Sequence, residues 1–133
     1  MKLCTFAIKT ALGKYNRLGV VFPDGILDLN FAAAYYLLQM GEIQPYQIAN
    51  TIVPCDMLQF LQTEATGMKF ARLTVDFFQK EFSAREFPTG ANEETLFYKT
   101  SEVKLKAPLQ NPNSFRDFYA FENHVKKGFE KRG

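Results

Sequence analysis

The stretch Arg17-Leu-Gly-Val-Val-Phe-Pro-Asp-Gly-Ile-Leu-Asp-Leu-Asn30 decides the fold. It holds two short aliphatic runs, Arg17 to Phe22 and Ile26 to Leu29, on either side of Pro23-Asp24-Gly25. That tripeptide is a turn with a mechanism: Pro fixes φ, Asp bonds its own backbone, and Gly accepts positive φ. Leu3 to Ile8 supplies an earlier strand, with Gly13 to Asn16 as the turn between, so residues 1–30 read as an antiparallel meander. The pattern then changes. Asn30 can cap a helix through Phe31-Ala-Ala-Ala-Tyr-Tyr-Leu-Leu, and Gly41 can end it.

Pro45 and Pro54 break the next stretch into short pieces. Asp56 to Thr66 reads as helix with Met57, Leu58, Phe60 and Leu61 inward, and Gly67 interrupts it. Lys69 to Phe82 reads as a further helix, with Phe70, Leu73, Phe77 and Phe78 at i, i+3, i+7 and i+8. Residues 83–95 turn polar and read as a surface loop, with Glu93 and Glu94 as a solvated pair. Thr100 to Ala107 alternates at Val103 and Leu105, as a half-buried strand does. Pro108 and Pro112 stop it. The expected class is α+β: a small antiparallel β meander packed with helices, followed by a strand and a C-terminal helix. The expected organisation is an N-terminal unit over residues 1–107, a linker over 108–113, and the start of something further over 114–133.

Composition narrows the function. At 47% hydrophobic and 23% charged, 133 residues can bury one ordinary core. Fourteen Phe and six Tyr read as core packing, because no block interleaves exposed rings with Arg and Lys as a base-stacking surface would. Sixteen basic against fourteen acidic residues is too balanced to imply a nucleic-acid partner. The two cysteines, Cys4 and Cys55, have no metal-ligand spacing, make no disulfide framework, and suit a reducing compartment. The opening run is too short for a signal peptide, and no stretch nears eighteen apolar residues. The chain reads as cytoplasmic, without a membrane span.

Chemistry concentrates in the tail, Ser114-Phe-Arg-Asp-Phe-Tyr-Ala-Phe-Glu-Asn-His124, which holds the only histidine. Two geometries are open. In one, Ser114 caps a single helix with Asp117 at its third position; Phe118, Phe121, Val125 and Phe129 form its apolar stripe, and Tyr119 faces away from Asp117. In the other, Asp117 and Tyr119 share a face of an extended segment, and a helix starting near Ala120 brings His124 to the same pocket. A carboxylate can then supply one hard ligand to a dication, and an imidazole can act as general base.

The segment Leu105-Lys-Ala-Pro-Leu-Gln-Asn-Pro-Asn-Ser-Phe-Arg-Asp-Phe-Tyr-Ala-Phe-Glu-Asn-His-Val-Lys126 resembles the fumarylacetoacetate hydrolase family. There an Ala-Pro-aliphatic strand end leads into Asp-Phe-Tyr, with His five residues after the Tyr. Met1-Lys-Leu-Cys-Thr-Phe6 and Arg17 to Asn30 resemble that family's N-terminal domain. The resemblance implies the N-terminal portion of a metal-dependent hydrolase that cleaves C–C bonds of β-diketo or acylpyruvate-type acids. It implies Asp117 as a metal ligand, Tyr119 as a substrate-binding hydroxyl and His124 as the catalytic base. It further implies a divalent cation (Mg²⁺, Ca²⁺ or Mn²⁺), a small-molecule substrate, and a homodimer for the full-length protein. Decarboxylases and isomerases belong to the same family, so the reaction stays open. The family's downstream Glu-x-Glu ligand pair has no counterpart here, and after His124 the only acid is Glu130. The chain is therefore expected to be inactive and metal-free as a fragment, with residues 114–133 opening a truncated catalytic domain. The rival expectation is a non-catalytic interaction domain of the same fold.

Overall fold

The computed structural model of the chain describes residues 1–82, 87–116 and 121–131. Strands β1 (Leu3–Thr10) and β2 (Gly13–Phe22) pair antiparallel from Leu3↔Val20 to Thr10↔Gly13. The hairpin therefore turns at Ala11-Leu12, not at Gly13–Asn16. The reason is local: Gly13 takes φ +131°, and the Thr10 hydroxyl accepts from the Leu12 N–H and donates to the Gly13 carbonyl, both at 3.2 Å. Strand β3 (Gly25–Asp28) returns along β2 after Pro23-Asp24, as the turn chemistry predicts.

Four helices follow: α1 (Leu29–Gln39), α2 (Pro45–Ile52), α3 (Met57–Gln62) and α4 (Glu64–Glu81). The cap of α1 is Asp28, whose side chain accepts the Phe31 N–H at 3.1 Å; Asn30, the expected cap, lies inside the first turn and is buried. The break between α3 and α4 falls at Thr63 rather than Gly67. The Thr63 hydroxyl donates to the Phe60 carbonyl at 2.6 Å, and Glu64 takes φ 52°. Gly67 sits within α4, where an added Cβ would lie 1.8 Å from the Thr63 hydroxyl and 2.8 Å from the Ile52 carbonyl. It is there to let α2 and α4 approach. The buried stripe of α4 is Gly67, Ala71, Thr74, Val75 and Phe78. Leu73 falls off that stripe and is 44% exposed, and Leu61 of α3 is 47% exposed, so two expected core residues face outward.

Strand β4 (Phe97–Tyr98) adds beside β3, and β5 (Lys104–Lys106) beside β1, giving the order β4-β3-β2-β1-β5. The expected strand over Thr100–Ala107 is cut short because Thr100–Glu102 forms a 3₁₀ turn, with the Glu102 carboxylate accepting the Lys99 N–H at 2.8 Å. Leu105 is 54% exposed, not half-buried as alternation suggested.

The sheet is curled. In a flat sheet β1 and β4, three spacings apart, would stand about 14 Å from each other. Instead the Phe6 and Tyr98 rings lie 5.6 Å apart. One sheet face carries Leu18, Val20 and Leu27 onto the helices, and Ala32, Ala33 and Ala34 let α1 pack close against them. Beside this core runs an aromatic seam. Tyr35, Phe77, Phe78, Phe82, Phe87 and Phe97 touch in series, and Phe87 stacks on Phe97 at 4.1 Å and 7°. Within residues 1–98 most of the aromatic excess is core packing.

Gly25 is the tightest point of the sheet: a Cβ there would stand 2.2 Å from the Tyr98 carbonyl and 2.7 Å from the Phe97 ring. Gly25→Ala is expected to detach β4 and to cost about 1–3 kcal/mol, as overpacking does. Chemical denaturation gives the cost. Hydrogen exchange should lose protection at the Asp28 N–H, which bonds the Leu96 carbonyl, before it does at Leu18.

Candidate functional site

The chain leaves the sheet at Lys106, and the Thr5 hydroxyl donates to the Pro108 carbonyl at 2.7 Å. The first residue of the expected linker is thus tied to the middle of β1. Ser114, Phe115 and Arg116 are not helical, and Phe115 is 93% exposed. Asp117 and Tyr119 lie outside the described residues. His124 is the third residue of α5 (Glu122–Glu130). The cap of α5 is Phe121, in an extended conformation, so the helix does not begin at a Ser114 capping box. A Glu122–Lys126 ion pair of 2.7 Å braces its first turn. Phe121 and Phe129 are 76% and 70% exposed, while Val125 between them is partly covered.

Among the described residues no three His, Cys, Asp or Glu side chains converge as a dication requires. The described residues by themselves make no metal site. Nor do Glu93 and Glu94 form a catalytic pair. Glu93 takes φ 63°, and Glu94 is spent on the Tyr46 hydroxyl and, at 2.9 Å, on the Asn92 N–H. Glu94 is therefore a loop clasp rather than one of a solvated pair.

The polar constellation that the fold does assemble is elsewhere, around Arg17. Its Nε donates to Asp28 Oδ2 at 2.6 Å and its Nη2 to Oδ1 at 2.9 Å, a bidentate pair. Nη2 also reaches Asn30 Oδ1 at 3.3 Å, and Nη1 donates to Cys55 Sγ at 3.0 Å. Asn30 Nδ2 in turn donates to the Val53 carbonyl at 2.8 Å and to Asn50 Oδ1 at 3.0 Å. The guanidinium carbon lies 3.7 Å from the centre of the Phe31 ring. The Asp28 side chain is fully buried and that of Arg17 is 12% exposed.

Burial pushes the Asp28 carboxyl above its ordinary range, while the Arg17 bonds and the Phe31 and Asn30 N–H groups pull the other way. Burial would lower Arg17, but the Asp28 bond and charge more than offset it, and the guanidinium stays protonated. Burial also raises the Cys55 thiol, with Arg17 opposing, and raises the Tyr98 phenol. Each Arg17 nitrogen is engaged and Cys55 stays a thiol, so the cluster holds structure and offers neither a free anion fork nor a nucleophile. Sequence reasoning missed it. The signal was available: Arg17 and Asp28 fall on the same face of adjoining strands, where Gly19 pairs with Asp28.

Comparison with protein-family models, with curated proteins and with solved structures gives no match to this chain. Two predictions follow from the geometry. Asp28→Ala leaves a buried guanidinium without its partner and should cost about 3–5 kcal/mol in a denaturation experiment. Pairing it with Arg17→Met should recover part of that loss, which a double-mutant cycle reads directly. The Cys4 thiol, pushed up to about 11 mainly by burial, should resist iodoacetamide until the pH approaches that value. An unfolded thiol ionises near its ordinary value of 9.0, so stability is untouched below that pH and falls as pH rises from there toward about 11.

Proposed function

We propose that this chain is the N-terminal portion of a metal-dependent hydrolase, fumarylacetoacetate hydrolase-like, that cleaves C–C bonds of β-diketo or acylpyruvate-type acids. The observation that carries the reading is the string from Leu105 to Lys126, with Asp117-Phe-Tyr119 and His124 at the family's spacing. Two features support it. The helix bearing His124 begins after Phe121, so the tail is not one helix capped by Ser114. The segment before it is anchored to the sheet through Thr5 and Pro108, which gives the tail a fixed point of departure.

In the longer protein Asp117 would be one ligand of a dication, whose chemistry when bound is to hold dicarbonyl oxygens and stabilise negative charge on them. Tyr119 would hydrogen-bond the substrate. His124 would take a proton from the water that attacks the carbonyl. The 133-residue chain supplies one carboxylate and one imidazole of that site, too few for a six-coordinate oxygen site.

The test uses the full-length protein and an acylpyruvate, followed by loss of its enol absorbance. His124→Ala should lower kcat by about 10²–10⁴-fold with metal affinity unchanged. Asp117→Asn should weaken metal affinity and be partly rescued by added Mg²⁺ or Mn²⁺. The chain by itself should give neither turnover nor a micromolar, stoichiometric calorimetric isotherm with these cations. A wild-type kcat in the full-length His124→Ala variant would overturn the assignment of the base.

A further inference from the structure

The residues of one sheet face change character along the strands. Thr5, Ala7 and Lys9 share a face of β1, and the register places Leu18, Lys14, Lys104 and Lys106 on that same face. Under the helices the face is apolar: Leu18 is 0% exposed and Val20 2%. Beyond them it is basic. Lys9, Lys14 and Lys104 are exposed, Lys106 is half-buried, and the four line a cleft of about 190 Å³.

Lys9 and Lys14 stand directly opposite each other across the hairpin, an arrangement that costs stability. Nothing described neutralises it. The two ion pairs among the described residues are Arg17–Asp28 and Glu122–Lys126, and neither involves these lysines. The one acid in the cleft, Glu102, accepts the Lys99 N–H and pairs with none of these lysines, so one carboxylate stands against four cations. A chain of net charge +2 thus concentrates four cations around one cleft.

The cleft lies at a sheet edge. Strand β5 pairs with β1 on one side and, among the described residues, with nothing on the other. Its outer N–H and C=O groups can accept a further strand. Lys104 and Lys106 point to the basic face, and Leu105 between them, 54% exposed, points to the opposite one. A strand added there meets cation, aliphatic group and cation in turn.

We infer that this edge is a docking site for an extended acidic segment of a partner protein, in which carboxylates alternate with apolar residues. The backbone pairs with β5, the carboxylates face Lys104 and Lys106 with Lys9 and Lys14 behind them, and the apolar residue covers Leu105. The chemistry favours a peptide over nucleic acid. Lysines give point charges without a bidentate fork, and Tyr15, the exposed ring of this hairpin, falls on the other face, leaving no platform for a base.

The test is fluorescence anisotropy with a labelled peptide of alternating Glu and Val, against a Lys-Val peptide and a single-stranded oligonucleotide of equal charge. The acidic peptide should bind, and its affinity should fall steeply with salt. Lys104→Gln with Lys106→Gln should weaken it about tenfold, and Lys9→Gln with Lys14→Gln less, the fold of each variant being checked by circular dichroism. The same peptide N-methylated at alternate backbone nitrogens, tested on the unaltered protein, should not bind. Absence of binding at low salt, equal binding of the N-methylated peptide, or tighter binding of the oligonucleotide would each overturn the proposal.

Discussion

Everything in this fold refers back to the pair of Arg17 and Asp28. Two opposite charges are removed from water together, which repays its cost only with near-ideal geometry and further hydrogen bonds. Both conditions are met: two parallel N–H···O bonds, at 2.6 and 2.9 Å, and a backbone N–H from Phe31 on the same carboxylate. Asp28 is at once the last residue of a strand, the cap of the first helix and the counter-ion of the neighbouring strand. The pair therefore fixes the angle at which the helical layer leaves the sheet. Through Cys55 and Asn30 it also fixes the loop between the second and third helices.

The second constraint is the curl of the sheet. The two edge strands, separated by four spacings in the sheet, are joined by residues 99–103 alone, part of which is a compact 3₁₀ turn. So short a connection pulls the edges toward each other, and the rings of Phe6 and Tyr98 fill the space enclosed. The opposite face has no such closure and depends on the helices and on the aromatic seam. That seam uses flat, rigid side chains where aliphatic ones would leave gaps between a twisted sheet and a long helix.

The meander, the first helix and the α+β class were legible because their signals are local. Pro23-Asp24-Gly25 dictates a turn whatever surrounds it, and the alanine-rich run after Leu29 favours helix on its own. What was missed needed tertiary information. Asp28 and Asn30 are equally good caps by type, and only the burial of Arg17 selects the first. Leu73 fits a helical stripe, but the close contact of Gly67 and Ala71 sets the buried stripe of α4 away from it, and in the short α3 Met57 and Phe60 take the buried side and leave Leu61 outward. Phe97-Tyr98 is too short a strand to announce itself, and it exists because Gly25 leaves room for it. Of the proposed catalytic residues, spacing could supply only the types. The Arg17 cluster, by contrast, could have been found from strand register.

The contact between Thr5 and Pro108 joins residues 103 apart in the chain, and the strand beside it completes the sheet. During synthesis the meander emerges first and can pair at once, yet its first strand stays uncovered on one side until residue 106 has left the ribosome. Non-local pairing of this kind is slow, because loop closure must precede any gain from contact. The nascent chain therefore carries an open edge for as long as the intervening helices take to appear, several seconds at about 5–20 residues per second. The exposed lysines along that hairpin repel a second nascent edge meanwhile.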